Sequence, residues 1–92
     1  MSHPYTNIEV TDKYIIREFS ENIDPMEFIW HMDDEDRTIV AVEETDWLFQ
    51  FDDELPLSLN SPIFIPRHKI HRVIKGNGNL KIKIIKLTIS NR

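Results

Sequence analysis

The chain has 92 residues and a mass of 11.0 kDa, which is one domain's worth of sequence. A fold this small buries only about 60–65% of its unfolded surface, so most apolar residues must join a single core. At 40% hydrophobic and 29% charged, the composition excludes a disordered chain, and no run of ~18 apolar residues exists to span a bilayer. The absence of cysteine excludes disulfides, thiolate metal sites and cysteine nucleophiles. With no basic-then-apolar leader in MSHPYTNIEV, the expected location is cytoplasmic.

The net charge of −5 conceals a segregation. All 16 acidic residues lie in 1–54 beside only Lys13, Arg17 and Arg37, a net of −13, whereas 55–92 hold eight bases and no acid, a net of +8. Acidic and basic strands lying side by side, within one chain or across a dimer, account for this. A nucleic-acid surface built from Lys69, Arg72, Lys75, Lys81, Lys83 and Lys86 is a minor alternative. Stacking platforms for bases are missing there, since Phe64 is the sole aromatic in 55–92.

In chain order, Tyr14–Phe19 reads as a first strand and Asn22-Ile23-Asp24-Pro25 as a turn. Phe28–Met32 is rich in β-formers, and the acidic run Asp33–Asp36 suits a turn. Strands follow at Arg37–Val42 and Trp47–Phe51, the latter ended by Asp52-Asp53. Leu55, Leu57 and Leu59 alternate with polar or proline positions, and Ile63-Phe64-Ile65 is closed by Pro66. His71–Ile74 leads into Gly76-Asn77-Gly78-Asn79, which predicts a hairpin loop. Leu80, Ile82 and Ile84 alternate with Lys81 and Lys83, and the break at Ile84-Ile85 predicts either a bulge or a strand buried on both faces. No segment keeps a helical period, so eight or nine short strands predict an all-β barrel or sandwich.

No serine sits in a nucleophile elbow, and Gly76–Asn79 has neither the lysine nor the helix of a phosphate loop. The polar groups suited to chemistry are histidine and carboxylate. In an extended chain His31 and Asp33 project to one face, and His71 lies forty residues on, just past Pro66. Two imidazoles and a carboxylate with open positions suit a divalent ion such as Fe, Mn, Zn or Ni, whereas an isolated histidine in a strand needs no metal to explain it. Arg37 either turns its guanidinium inward to bind an anion or pairs with Asp33 or Asp36 across the turn. Trp47, Phe49 and Phe51 share a strand face that is either core or the wall of a ligand pocket. His68, flanked by Arg67 and Lys69, reads as a solvated loop residue, and His3 as part of a terminus.

The order of these features resembles the cupin superfamily. WHMDDEDRTIVAVEE, residues 30–44, looks like its first motif, and IFIPRHKIHRVIKG, residues 63–76, looks like its second, Pro-x-Gly-x-x-His. The resemblance covers about residues 13–87, and is closest to short bacterial and phage cupins with Trp-His-x-Asp-x-Glu-Asp-Arg. It implies a single cupin domain over 1–92, a small antiparallel jelly-roll barrel. It carries the metal-ligand role to His31 and His71, with Asp33 in place of the other first-motif histidine. Arg37 falls on the motif's glutamate position and cannot bind metal. His68 replaces the second motif's glycine.

Three functional readings stand at this point. The first is a metal-assisted binder or enzyme using His31, Asp33 and His71, with Arg37 orienting a small anionic ligand. The second is a metal-free homodimeric module, its dimer formed through Phe28, Trp30, Ile85, Leu87 and Ile89. The third is the basic surface for nucleic acid or phosphate.

Overall fold

The computed structural model describes residues 5–22 and 29–87. Among them are eight strands and no helix: β1 Tyr5–Val10, β2 Tyr14–Phe19, β3 Asp36–Ala41, β4 Leu48–Phe51, β5 Leu57–Ser58, β6 Ile63–Ile65, β7 His71–Ile74 and β8 Leu80–Leu87. All pairings are antiparallel, in a five-stranded sheet of order β1-β2-β8-β3-β6 and a three-stranded sheet of order β5-β4-β7. The expected residues Ile23, Asp24, Pro25, Phe28, Ile89 and His3 lie outside the described residues, as does the side chain of Leu87.

Period-two alternation builds the larger sheet. Ile15 and Phe19 of β2, Ile39 of β3, Ile63 and Ile65 of β6, and Leu80, Ile82 and Ile84 of β8 are all buried on its inner face. Phe49 and Phe51 of β4 and His71 of β7 are buried opposite them. Trp47, Leu59 and Leu80, each 0% exposed, fill one end of the space between the sheets. Phe19 packs on Trp47 with ring centroids 6.1 Å apart.

The charge segregation is absorbed by topology. Basic β8 lies between β2 and β3, both from the acidic half, with Lys81 opposite Glu18. Lys69 reaches Asp53 at 2.9 Å and Asp52 at 3.6 Å. No helix among the described residues is long and apolar enough to cross a membrane.

Four expectations need correction. β1 precedes the predicted first strand; its apolar residues do not alternate, because the register shifts between Asn7 and Glu9. Residues 29–32 form no strand beyond a single bridge at His31. The alternating leucines yield only the two-residue β5, since Pro56 has no amide proton and Leu55 is 82% exposed. β8 carries no bulge: its registers with β2 and β3 run unbroken, and Ile85 faces outward between Tyr14 and Thr38.

The glycine-rich loop is also not a hairpin, because β7 and β8 belong to different sheets. It is a crossover clamped onto the start of β4. Asn77 donates from N and Nδ2 to the Asp46 carboxylate at 2.8 and 2.7 Å, and Trp47 Nε1 donates to the Gly78 carbonyl at 2.9 Å. A Cβ at Gly76 would meet Trp47 N at 2.7 Å and its Cδ1 at 2.8 Å, so the close approach demands glycine. Gly76→Ala is expected to lower stability in urea titration by about 2 kcal/mol, the usual scale of overpacking. Gly78→Ala, which meets no atom within 4 Å and is strained only by its φ of 71°, should cost less.

Candidate metal centre

The residues that cannot pack as hydrocarbon gather away from Trp47. A cavity of about 350 Å³ lies between the sheets, and its polar lining is Arg17, His31, Asp33, Arg37 and His71. Ile39, Ile65, Ile82, Ile84, Phe49 and Val73 supply apolar wall. His31 and Ile29 are exposed and mark the side open to solvent.

Backbone pairing brings the histidines together. His31 N donates to His71 O at 3.0 Å, and His71 N donates to His31 O at 2.9 Å. The two rings lie 4.4 Å apart between centroids, and Phe49 stacks on His71 at 5.3 Å. Asp33, two residues past His31, reaches the same cavity; its Oδ2 is 3.3 Å from His71 Nε2. One donor atom from each of His31, Asp33 and His71 lies within 4.8 Å of the others.

The protons on these rings follow from their partners. His71 Nδ1 is 2.7 Å from the Lys69 carbonyl and His31 Nδ1 is 3.1 Å from the Ile29 carbonyl. A carbonyl only accepts, so each Nδ1 carries the hydrogen and each neutral ring keeps its lone pair on Nε2. At His71 that lone pair faces a carboxylate oxygen, an arrangement that a proton or a metal cation between them resolves. Carbonyl-anchored imidazoles are the usual outer support of metal-binding histidines.

The donor set fits a divalent transition metal. Donors held about 2.1 Å from an ion lie roughly 3–4 Å from one another, so the group must contract by about 1 Å. Exposed His31 has room for this, whereas His71 is only 3% exposed and fixed. Two imidazoles and one carboxylate leave coordination positions for water or a ligand.

Arg37 reaches Asp33 at 3.5 Å through NH1 and Glu35 at 3.1 Å through Nε. Of the two partners expected across the turn, Asp33 is thus in contact, whereas Asp36 accepts from Arg67 N at 2.7 Å. Of the three aromatics considered as pocket wall, Phe49 lines the cavity, while Trp47 and Phe51 are core residues outside its lining. Trp30, also expected on an outer surface, is exposed beneath the Arg72 guanidinium at 4.5 Å. His68 is exposed, pairs with Asp34 at 3.1 Å and has a φ of 67°, keeping the left-handed turn at the position the resemblance gives to glycine. His68 N also donates to the Asp33 carbonyl at 2.9 Å, tying the loop after β6 to the segment after His31.

Arg17 went unnoticed in the sequence, although its position between Ile15 and Phe19 puts a cation on an apolar face. Burial is the main influence on it and lowers its pKa; Tyr5 opposes the shift, Arg37 adds to it, and Asp33 opposes it. Asp33 moves below the usual carboxylate range. Its hydrogen bond to His71 is the largest cause and outweighs burial, and the charges of Arg37, His71 and His31 act in the same direction.

Comparison with solved structures finds this architecture elsewhere. A cupin-2 domain protein from Shewanella frigidimarina is 23% identical with a TM-score of 0.61, over 91% of this chain and 79% of that one. A cupin domain from Bordetella pertussis is 16% identical with a TM-score of 0.54, over 96% of this chain and 99% of its own. Fe(II) HppE is 16% identical with a TM-score of 0.59; 80% of this chain aligns, spanning 41% of that longer protein. The chain therefore has the cupin fold, an all-β jelly roll of two facing sheets. No family model and no curated protein matches the sequence.

The lowered Asp33 pKa fixes a pH dependence. Because the folded value lies below the unfolded one of about 3.9, the stabilisation is full above that pH and disappears as pH falls through the folded value. Asp33→Asn is expected to be less stable than the parent at pH 7 by about 1–3 kcal/mol. The two should converge in denaturant titrations as the pH falls through the folded value.

Proposed function

We propose that this chain of cupin fold binds one divalent transition-metal ion through His31, Asp33 and His71, with a small anionic ligand beside it in the cavity. The observation that carries the reading is the approach of His71 Nε2 to Asp33 Oδ2 at 3.3 Å with Nδ1 committed to Lys69 O, a gap that either a proton or a metal ion bridges. That Fe(II) HppE has this fold and an iron supports the reading by analogy alone. Fe, Mn, Zn and Ni all suit the donor set. When bound, such an ion supplies Lewis acidity toward a ligand oxygen.

The protein's own groups have separate tasks. The Lys69 and Ile29 carbonyls hold the ring tautomers, and Arg37 steadies Asp33. Ile39, Ile65, Ile82 and Ile84 exclude water on the sheet side, while exposed His31 leaves a route for exchange. A cytoplasmic setting belongs to the same proposal, and the absence of cysteine is compatible with it.

The metal-free reading has its own support, since Asp33 is already bonded to His71 and Arg37 without an ion. Elemental analysis of protein purified without added metal or chelator separates the two. The metal reading expects about one ion per chain and its loss in His71→Ala, with His68→Ala unchanged. Added metal at 100 times its Kd should stabilise the parent by about 2.7 kcal/mol. Metal-free protein that ignores added ions leaves the module reading.

The homodimer belongs to both readings. Phe64, Thr38, Ile85 and Tyr14 form one cross-strand row on the outer face of the larger sheet, and Phe64 is 52% exposed. Sedimentation at micromolar concentration should return twice 11.0 kDa, and a value of 11.0 kDa removes the dimer.

A further inference from the structure

We propose that Arg17 is the anchor of the cavity's ligand, an oxyanion (carboxylate or phosphate) carried on a short apolar body. The proposal rests on the reading of this cavity as a ligand site and is independent of the ion. It assigns the anion-binding role to a different arginine from the one the sequence singles out.

The two cavity arginines differ in how their charge is met. Arg37 is paired with Asp33 and Glu35. Arg17 has no carboxylate partner among the described residues, although it comes from the acidic half of the chain. Its Nε donates to Asn7 Oδ1 at 2.8 Å, and its guanidinium lies over the Tyr5 ring at 3.8 Å. These contacts fix the plane of the guanidinium and leave its terminal nitrogens without a hydrogen-bond partner among the described residues.

Arginine does not lose its proton in proteins, so a half-buried guanidinium with no carboxylate in ion-pair contact among the described residues is costly to keep, Asp33 acting on it only from a distance. Its place makes the cost sharper: Ile15 and Phe19 flank it along β2, both buried, and Ile82 of β8 is its cross-strand neighbour. An apolar residue would pack better there. A planar fork held in one orientation is suited to two-point recognition of carboxylate or phosphate oxygens.

Charge and size narrow the ligand. With neutral imidazoles, the lining residues Arg17, Arg37 and Asp33 sum to +1, and a divalent ion raises this to +3. The remaining wall is aliphatic and aromatic, which favours a body of a few carbons over a polyol. A volume of about 350 Å³ is at the small end of ligand sites.

The test uses full-length protein stripped of metal by chelator and then dialysed. Butyrate, propylphosphonate and neutral butyramide are titrated while the Arg17 Nε–Hε resonance and the melting temperature are followed. One of the two anions is expected to shift the resonance saturably and raise the melting temperature, with at least tenfold preference over butyramide. Which anion binds tighter distinguishes a carboxylate ligand from a phosphate one. Arg17→Met should lose that preference at least tenfold, melt higher than the parent when ligand-free, and take up metal as the parent does. Arg17→Lys, which keeps the charge without the fork, should retain a weakened preference and covers the case in which the methionine variant fails to fold.

Butyramide binding as tightly as the anions in the parent overturns the proposal. So does a folded Arg17→Met or Arg17→Lys variant with undiminished anion affinity. Anion binding that persists in a parent unable to take up metal sinks the metal reading alone. Metal uptake without anion preference sinks this proposal alone.

Discussion

Two reciprocal backbone hydrogen bonds between His31 and His71 hold the site together. They are the only strand-like pairing of the segment around His31 among the described residues, at 3.0 and 2.9 Å. Individually such bonds contribute about 1 kcal/mol net. Their effect on geometry is larger than that figure suggests. They lay His31 against the edge of the smaller sheet, set its ring against that of His71, and deliver Asp33 to His71 Nε2. The His68 amide then catches the Asp33 main-chain carbonyl from the loop after β6, so the backbone that carries the carboxylate is anchored as well.

Around that pairing the interior divides into two regimes. Near Trp47 every inward position is hydrocarbon, and its one buried donor, the indole N–H, finds the Gly78 carbonyl. Toward the other end, Arg17 and Arg37 occupy inward positions that isoleucine or leucine would fill. A 92-residue fold has few inward positions to give to charge, and surrendering these lowers stability relative to a fully apolar filling. Both guanidinium-bearing residues line the cavity that lies between the sheets.

The strands legible in the sequence were those with one wet face and one dry one. Leu80, Ile82 and Ile84 against Lys81 and Lys83 identify β8, and Pro66 correctly ends β6. Edge elements were harder. β1 carries a register shift that scrambles its alternation, and its exposed residues have no periodic reason to be apolar. The leucines at 55, 57 and 59 alternate without a shared buried face, because Pro56 and the chain's path leave Leu55 in solvent. The Gly76–Asn79 loop has hairpin composition but serves a crossover, and local turn chemistry does not distinguish the two. At the site, His31, Asp33 and His71 were suggested by residue type and order. Their convergence depends on a pairing that spans forty residues, and Arg17 stood in plain view as one cation in an otherwise apolar alternation.

The position of β8 constrains how the molecule assembles. Tyr14 faces Ile85 and Ile39 faces Ile84, so β2 and β3 become neighbours only through a strand that follows both of them by dozens of residues. Loop-closure entropy must be spent before either contact is rewarded, a topology associated with refolding in milliseconds to seconds. Until β8 arrives, β2 and β3 each present an unsatisfied strand edge, and the nascent sheet is most open to pairing with the wrong neighbour. The strand that joins β2 to β3 is thus also the one that covers both of these edges.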